Sequence, residues 1–232
     1  MQLPVDDIIE WDVLNWSQLI RYWTPIVERL SKESKVLAIG ERNGGLSLWL
    51  ALLGFDVVCT DIVDTGTTAK DLHKKYGVEH KISYQTFDVV NGNLDADSFD
   101  LIVAKSVIGG LKGNRSDAST RSFEVQQKAV DNINRLLKPG GYFLSAENLT
   151  GNILLQAARR NTGKTQGWRY LHYRELSQLF QSFDLVQTKT FGILPTFFGS
   201  KFVNLIMFFI NKHLLAFLPT TTKYIAFTTA QK

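Results

Sequence analysis

The sequence predicts an α/β protein in which a mostly parallel β-sheet is covered by helices on both faces, as a three-layer sandwich. Apolar runs of strand length alternate with helical patterns from residue 35 to residue 150, which is the order typical of parallel strands joined by helices. The interiors of the strand-length runs are apolar. Glycine or polar residues follow the ends of these runs, among them Gly40, Asp61 and Asp88. Because ligands bind beyond the carboxyl ends of such strands, the pattern also predicts a binding edge.

The local patterns place the elements in order. Residues 11–30 have the apolar spacing of a helix, which Pro25 is expected to kink or restart. The central region then predicts strand 35–39, helix 44–53, strand 57–60, helix 67–76, strand 82–87, strand 101–104, helix 122–137 and strand 142–146. Beyond residue 150 the predicted elements are helices 151–160 and 172–183 and strands 185–191 and 224–229.

Composition and charge narrow the class of protein. The apolar fraction of 44% and the charged fraction of 21% are typical of a packed globular domain. Residues 1–150 hold 16 Lys and Arg against 20 Asp and Glu, whereas residues 151–232 hold 10 against two, so the C-terminal third is expected to face something anionic. The single cysteine, Cys59, lies in a predicted strand, which favours a structural role and a reducing, cytoplasmic setting.

A glycine-rich turn at residues 40–45 connects the first predicted strand to the next helix, and Asp61 stands at the end of the second strand. A carboxylate at the tip of that neighbouring strand is where nucleotide-binding α/β folds hold ribose hydroxyls. The spacing therefore predicts a cofactor that contains a nucleoside.

The ordered set of motifs resembles the class I S-adenosylmethionine (SAM)-dependent methyltransferases. The matching pieces are the turn at 40–45, Asp61, Asp88, the segment 99–103 and the sequence Leu-Leu-Lys-Pro-Gly-Gly-Tyr at 136–142. The resemblance implies a Rossmann-like sandwich with a seven-stranded, mostly parallel sheet and an antiparallel last strand. It also implies an N-terminal helical lid at 1–34, a SAM-binding core at 35–150, and a C-terminal part at 151–232 that completes the sheet. The sequence adds an apolar helical insertion at about 195–219, which is unusual for this fold.

The resemblance implies that SAM is the methyl donor and S-adenosylhomocysteine the product. The implied cofactor-binding residues are Gly40, Glu41, Gly44, Asp61, Ile62, Asp88, Val89 and Lys105. Asp61 is expected to accept hydrogen bonds from the ribose hydroxyls and Asp88 from the adenine amine.

Three positions in and before the turn depart from the family pattern. Ala38 stands where an acidic residue is usual, Glu41 follows Gly40 instead, and Arg42 replaces the second glycine. We expect Glu41 to contact the ammonium group of the cofactor and Arg42 to point outward or touch the substrate. Arg42 also argues against a dinucleotide, because the backbone approaches a pyrophosphate at that position only when it is glycine.

Methyl transfer requires the acceptor atom, the methyl group and the sulfur to be held in line and away from water. The expected substrate-binding residues are Tyr22, Ser106, Asn148, Trp168, Arg169 and Tyr170. For a hydroxyl acceptor, His172 and Glu147 are the candidate general bases. No metal site is expected. The region around Glu147 and Trp168 resembles bacterial methyltransferases found with surface-polysaccharide synthesis, which suggests a small-molecule, glycan or glycolipid hydroxyl.

Other acceptors and a non-catalytic role remain alternatives: a protein or nucleic-acid methyltransferase, or a binding protein built on the SAM fold. Nucleic acid is not expected, because residues 105–110 lack the Asn/Asp-Pro-Pro-aromatic segment of base methylases.

The apolar segment 197–218 is interrupted at Asn204 and at 211–213, so it lacks the ~20 continuous apolar residues of a membrane span. Four interpretations stay open: a helix in a membrane interface, a cover over a lipid-linked substrate, a homodimer interface, and a helix buried on the sheet. The expected location is cytoplasmic, with peripheral contact at the inner membrane face in the first case.

Overall fold

Seven strands form one sheet in the order β3-β2-β1-β4-β5-β7-β6 in the computed structural model, which describes residues 3–64, 66–111, 120–162 and 168–232. The strands are β1 (Val36–Ile39), β2 (Val57–Asp61), β3 (Ile82–Thr86), β4 (Phe99–Lys105), β5 (Leu137–Asn148), β6 (Leu185–Phe191) and β7 (Ile225–Gln231). Neighbours are parallel from β3 through β5, whereas β7 runs antiparallel to both β5 and β6. The predicted fold class is confirmed.

Helices cover both faces of the sheet because alternate strand residues point to opposite sides. Val36 and Ala38 of β1 belong to one core cluster, and Leu37 and Ile39 belong to the other. The helices are α1 (Val5–Ile9), α2 (Val13–Trp16), α3 (Gln18–Val27), α4 (Gly45–Leu52), α5 (Gly66–Lys75), α6 (Thr120–Leu136), α7 (Ile153–Thr162), α8 (Leu176–Leu179) and α9 (Lys201–Phe209). The first cluster includes residues of α1, α3 and α4, and the second includes residues of α6 and α8.

The N-terminal region consists of three short helices rather than the single helix predicted for 11–30. The backbone φ angles of Glu10 (69°) and Asp12 (48°) are left-handed and separate α1 from α2. Pro25 lies inside α3, which neither breaks nor restarts there and ends at Val27. Trp16 and Trp23 are fully buried, so these two rings belong to the core and not to a lid.

Two elements have bounds that differ from the sequence pattern because of tertiary contacts. Strand β5 begins at Leu137 and runs through Lys-Pro-Gly-Gly, since the Gly140 N–H donates to the Lys232 carbonyl at 2.6 Å and extends the pairing with the end of β7. The predicted helix 172–183 is reduced to a 3₁₀ turn at Tyr173–Glu175 followed by α8. The chain then turns so that the Phe180 and Phe183 rings lie about 6 Å from Phe143 (6.0 and 6.2 Å).

The apolar insertion forms α9 and continues as a π-helical turn at Ile210–Leu214. No residue of α9 is buried, so the interpretation of this segment as a helix buried on the sheet is wrong. Within the described ranges, no helix has both the length and the hydropathy needed to cross a membrane.

Candidate functional site

The glycine turn lies at the carboxyl end of β1, where the strand order reverses and an α/β sheet opens a crevice. Gly40 has a φ of 70°, and a Cβ there would stand 2.4 Å from Cγ2 of Val107. Val107 belongs to the loop after β4, so that loop packs on the turn closely enough to require glycine. The backbone N–H of Glu41 donates to the Thr60 carbonyl at 2.9 Å, which fixes the turn against β2.

A buried histidine supports the turn from α5. His73 Nε2 lies 2.8 Å from the Gly44 carbonyl oxygen, and Nδ1 lies 2.8 Å from the Tyr84 hydroxyl. Burial lowers the pKa of His73, which favours the neutral ring with Nε2 donating to the carbonyl. Gly44 is also required sterically, because a Cβ there would stand 2.5 Å from His73 Nε2. His73 and Tyr84 were not predicted from the sequence, in which a histidine on the apolar side of its helix was the signal for this contact.

Glu41 and Arg42, two of the residues that depart from the family pattern, differ in their burial. Glu41 is buried, and its Oε2 accepts the Ser47 N–H at 2.9 Å at the start of α4. Burial raises the pKa of Glu41. The Arg42 side chain is 78% exposed and lies 3.7 Å from Glu10, so it points outward, as one of the two expectations for it stated. Because one carboxylate oxygen of Glu41 is committed to α4, its contact with a cofactor ammonium group stays a prediction.

The predicted ribose and adenine partners lie next to the turn at the same edge of the sheet. Ile39 pairs with Thr60, so Gly40 and Asp61 are neighbours, and Asp61 Oδ1 accepts the Ile62 N–H at 2.7 Å. Ile62 is exposed and Val89 is buried. These side chains and Asp88 lie outside the main cavity wall described below, and their roles stay predictions.

Asp88 follows β3 and closes a turn of its own. Its Oδ1 accepts the Val90 N–H at 2.8 Å, and its Oδ2 accepts from the Asn91 side chain at 2.9 Å. Partial burial opposes ionisation, but these hydrogen bonds outweigh it and lower the pKa of Asp88. The carboxylate is therefore ionised and positioned at neutral pH.

Residues after β4 and β5 form the cavity floor. The Lys105 side chain is 9% exposed, and its Nζ donates to the Ile9 carbonyl at 3.1 Å. Burial lowers the pKa of Lys105, while Glu10 and Glu41 oppose the shift. Asn148 Nδ2 donates to Ser106 Oγ at 3.0 Å, which joins the ends of the two strands.

Glu147 is not placed to act as a general base. It is 2% exposed, and both carboxylate oxygens accept backbone hydrogen bonds, from Val107 and Ile108 at 2.9 Å and from Gly109 at 3.1 Å. Burial raises the pKa of Glu147 to about 7 although the three N–H donors oppose that shift. Its geometry corrects the expectation from the sequence: Glu147 holds the loop that packs on Gly40.

A cavity of about 830 Å³ extends from the glycine turn to an aromatic wall. Its lining includes Gly40, Glu41, Gly44, Lys105, Ser106, Asn148, Trp168 and Tyr170 from the predicted site. Arg159 of α7 lies 3.8 Å from the centre of the Tyr170 ring, and its Nη1 donates to the Leu149 carbonyl at 2.7 Å. This volume is in the range of small-molecule sites, roughly 300–1,000 Å³.

Several residues that line the cavity were not singled out from the sequence. They are Glu10 and Asp12 of the N-terminal segment, Arg159 of α7, Pro195, Phe197 and Phe198 of the loop before α9, and Tyr224 just before β7. Among the tryptophans of the predicted N-terminal lid at 1–34, Trp11 lines the cavity, whereas Trp16 and Trp23 do not. Over the ranges that the structure describes, no group of three or more His, Cys, Asp and Glu side chains is arranged to hold a metal.

Three further predicted site residues lie outside the lining of the main cavity. Tyr22 packs on Phe227, with ring centroids 5.6 Å apart, and borders a smaller cavity beside Lys212. Arg169 donates from Nη2 to Glu175 at 2.5 Å and from Nη1 to the Gln126 side chain. His172 is exposed, caps the 3₁₀ turn, and has Nδ1 3.3 Å from the Thr150 hydroxyl.

Tyr22, Arg169 and His172 are held in these positions by contacts that cannot be read from the neighbouring sequence. Each side chain is engaged at a structural contact on another element, so the geometry argues against Tyr22 and Arg169 as acceptor contacts and against His172 as a base.

Comparison with known proteins identifies relatives with the same core. The chain is 26% identical over 119 residues to mouse EEF1A lysine methyltransferase 4, covering 50% of the chain and 46% of that protein. It is 28% identical over 142 residues to tenellin synthetase of Beauveria bassiana, covering 58% of the chain and 3% of that protein. The chain thus spans less than half the length of these curated relatives.

Among solved structures, phosphoethanolamine N-methyltransferase 2 of Haemonchus contortus in complex with SAM superposes with a TM-score of 0.65 at 17% identity. The superposition covers 94% of this chain and 52% of that one, and at this identity it shows the shared fold.

A family model described as a methyltransferase domain matches residues 15–188, well over half of the chain. The predicted membership of the methyltransferases is confirmed at the level of this family. The chain belongs to the methyltransferase-domain family.

Proposed function

We propose that this protein transfers a methyl group from SAM to a hydroxyl oxygen of a small-molecule, glycan or glycolipid acceptor held in the main cavity. One observation carries the proposal: the cavity of about 830 Å³ begins at the glycine turn next to Asp61 and ends at an aromatic wall with a half-buried arginine, Arg159. The two ends differ in chemistry, as a site that holds two different molecules requires.

The cofactor end fits a nucleoside with an amino-acid tail. Gly40 and Gly44 have no side chain to fill the cavity, and the strand register places the Asp61 carboxylate beside the turn. Asp61 and Asp88 would hold ribose and adenine, while Gly40, Gly44 and Lys105 would border the methionine part. When bound, SAM supplies a methyl group that is already activated on a sulfonium, so this chain has to orient the acceptor and exclude water.

The acceptor end consists of Trp168, Tyr170, Phe197 and Phe198 with Arg159. Flat aromatic faces suit sugar rings and lipid stems, and the guanidinium of Arg159 suits a phosphate or another anionic group. Ser106 and Asn148, which are hydrogen-bonded to each other in the cavity floor, offer polar contacts for a hydroxyl-bearing molecule.

Glu10 replaces His172 and Glu147 as the proposed proton acceptor. It lies in the cavity wall, with its carboxylate 3.9 Å from Lys105 Nζ and 3.7 Å from Arg42. The left-handed backbone at this residue sets its position in the wall. We expect Glu10→Gln to lower kcat by about 10²–10⁴-fold with KM unchanged. Glu28→Gln, an exposed acid at the end of α3, is the control.

The acceptor class is tested with SAM that carries a tritiated methyl group. The purified protein is incubated with separated lipid, glycan, small-molecule, protein and nucleic-acid fractions, and the label is followed into each. The proposal expects label in a glycan, glycolipid or small-molecule fraction that is stable to base, as an ether is. Label in no fraction despite measurable SAM binding would support the non-catalytic alternative.

A protein acceptor is the second candidate. It is favoured by the similarity to the mouse lysine methyltransferase, which covers half of this chain. In that case the label would enter the protein fraction and survive as a methylated amino acid after acid hydrolysis.

We also propose a cytoplasmic location, with contact at the inner membrane face or between two copies of the chain through residues 197–218. The exposed apolar surface of α9 supports contact of one of these two kinds.

A further inference from the structure

Helix α9 presents an apolar stripe to solvent. Phe202, Leu205, Ile206 and Phe209 recur at the three- and four-residue spacing that places them on one helix face. Their exposed fractions are 73%, 54%, 39% and 57%. The apolar face of a helix is normally stabilised by burial against the protein core, and this face is exposed to solvent instead. The stripe therefore indicates a surface that binds an apolar partner outside this chain.

The orientation of the helix is held by polar clamps at both ends. Asn204 accepts the Phe198 N–H at 2.8 Å and donates to the Phe198 carbonyl at 2.9 Å. At the other end, Asn211 accepts the N–H groups of Ile193 and Leu194, each at 3.0 Å, and donates to Asn15 at 3.1 Å. The stripe is therefore displayed by a fixed helix.

Further apolar side chains extend the stripe to the cavity mouth. Phe197 (66% exposed) and Phe198 (47%) precede α9 and also line the main cavity, while Leu214 and Phe217 follow it and are more than half exposed. We call these four residues together with the stripe the α9 surface. The cavity mouth is continuous with this surface through Phe197 and Phe198.

A second apolar pair stands beside the same mouth. Asn152 donates to the Ile193 carbonyl at 3.2 Å, which places the start of α7 next to the loop before α9. Ile153 and Leu154 follow, with 78% and 82% of their area exposed.

The chain segment that carries the α9 surface has charge of one sign. From Leu185 to the last residue the sequence contains no Asp or Glu, whereas Lys201, Lys212 and Lys223 lie at the start of α9, just after it and before β7. Two copies meeting through this surface would bring these like charges together. An anionic membrane is complementary to the α9 surface, because its headgroups attract the lysines while its acyl region accommodates the aromatic and aliphatic side chains.

We propose that the α9 surface docks on an anionic membrane, with the stripe inserted at the level of the headgroups and the cavity mouth facing the bilayer. The docking does not depend on which acceptor is methylated, and SAM binding is measured separately. Failure of the docking and failure of the proposed methyl transfer therefore give different results.

The test is co-sedimentation with vesicles of phosphatidylcholine alone and of phosphatidylcholine mixed with phosphatidylglycerol, at low and at high salt. The variant Phe202→Ser/Phe209→Ser removes two exposed rings of the stripe. Leu185→Ser is the control, since Leu185 is 64% exposed at the far end of β6 and outside the surface. Thermal denaturation and SAM titration show whether each variant remains folded and competent to bind the cofactor.

We expect binding to the anionic vesicles that weakens at high salt, because exposed charges are screened. The double variant should lose at least about tenfold in vesicle affinity, while Leu185→Ser binds as the parent protein does and both keep their SAM affinity. Absence of binding to anionic vesicles at low salt overturns the proposal. So does a dimer in light scattering that the double variant converts to a monomer, since the surface would then belong to a second copy.

Discussion

The hydroxyl of Tyr224, at the start of β7, donates a hydrogen bond to the carboxylate of Asp12 in the N-terminal segment. The same carboxylate accepts the Thr196 N–H at 2.8 Å and the Thr196 hydroxyl. Asp12, Tyr224 and the 195–198 loop all contribute to the cavity wall, so one buried carboxylate joins three separate parts of the site.

Replacing Asp12 by Asn tests this junction without disturbing the backbone, because Asn also tolerates the φ of 48° at this position. The free energy of unfolding should fall by about 2–3 kcal/mol, since the Asn amide cannot accept all of the hydrogen bonds that the buried carboxyl group accepts from Thr196 and Tyr224. Asp97→Asn is the matched control: its φ is 51°, but its side chain is 57% exposed. Urea denaturation measures both, and equal stabilities of the two variants would contradict the prediction.

Glu147 should impose a pH dependence on stability. Its pKa in the folded protein, about 7, lies above the ordinary value of 4.5, so the folded protein holds a proton that the unfolded chain releases. The free energy of unfolding should therefore decrease as the pH rises from 4.5 through 7, by about 3 kcal/mol from this group alone. Denaturation on either side of this window should show that slope in the parent protein and in Glu79→Gln, an exposed acid. If Glu147→Gln keeps the full pH dependence of the free energy of unfolding, that dependence arises from groups other than Glu147.

Gly40→Ala should destabilise the turn through the Val107 contact. A left-handed alanine costs about 1–2 kcal/mol anywhere, and the 2.4 Å approach to Val107 should add about 1–3 kcal/mol and weaken SAM binding. Gly140→Ala separates the two contributions, because Gly140 has a φ of 79° and a Cβ added there would meet no atom within 4 Å. Chemical denaturation and SAM titration of the pair provide the measurement; equal losses would exclude the steric contribution.

Asp61→Ala should weaken SAM binding while leaving the fold intact. Hydrogen bonds to a charged group contribute about 1.5–3 kcal/mol, so the dissociation constant should rise by about 10–100-fold. Asp56→Ala is the control because Asp56 precedes the opposite end of β2 and its side chain is 82% exposed. Isothermal titration calorimetry with SAM measures this dissociation constant. An unchanged value in Asp61→Ala would show that Asp61 does not contribute to cofactor binding.

His172→Ala should leave methyl transfer close to the level of the parent protein. A general base contributes about 10²–10⁴-fold, and this ring lies outside the cavity wall beside the Thr150 hydroxyl. The exposed His80→Ala is the matched variant. A loss of kcat in His172→Ala but not in His80→Ala, at unchanged KM, would show that His172 takes part in the reaction.

Elements governed by local interactions could be predicted from the sequence. The apolar runs of β1, β2 and β4, the glycine turn and Asp61 at a strand end depend on residues near one another in the chain, and parallel strands bring their carboxyl ends to one edge. The family motifs therefore sufficed for the fold, the methyltransferase family and the edge of the sheet where the cavity lies.

The orientation of individual polar side chains was decided only by the tertiary structure. Glu147 follows an apolar strand as a catalytic acid would, yet three N–H groups from the loop after β4 surround it and make it an anchor. Asp12 and Tyr224 are 212 positions apart, and nothing in the local pattern of either indicates the other. Likewise, an apolar segment has the same pattern whether it is buried or exposed. Tertiary contacts, among them the hydrogen bonds of Asn211 and the packing of Phe208 on Phe191, turn the stripe of α9 toward solvent. A buried polar group takes its role from the donors that reach it, and those donors come from distant parts of the chain.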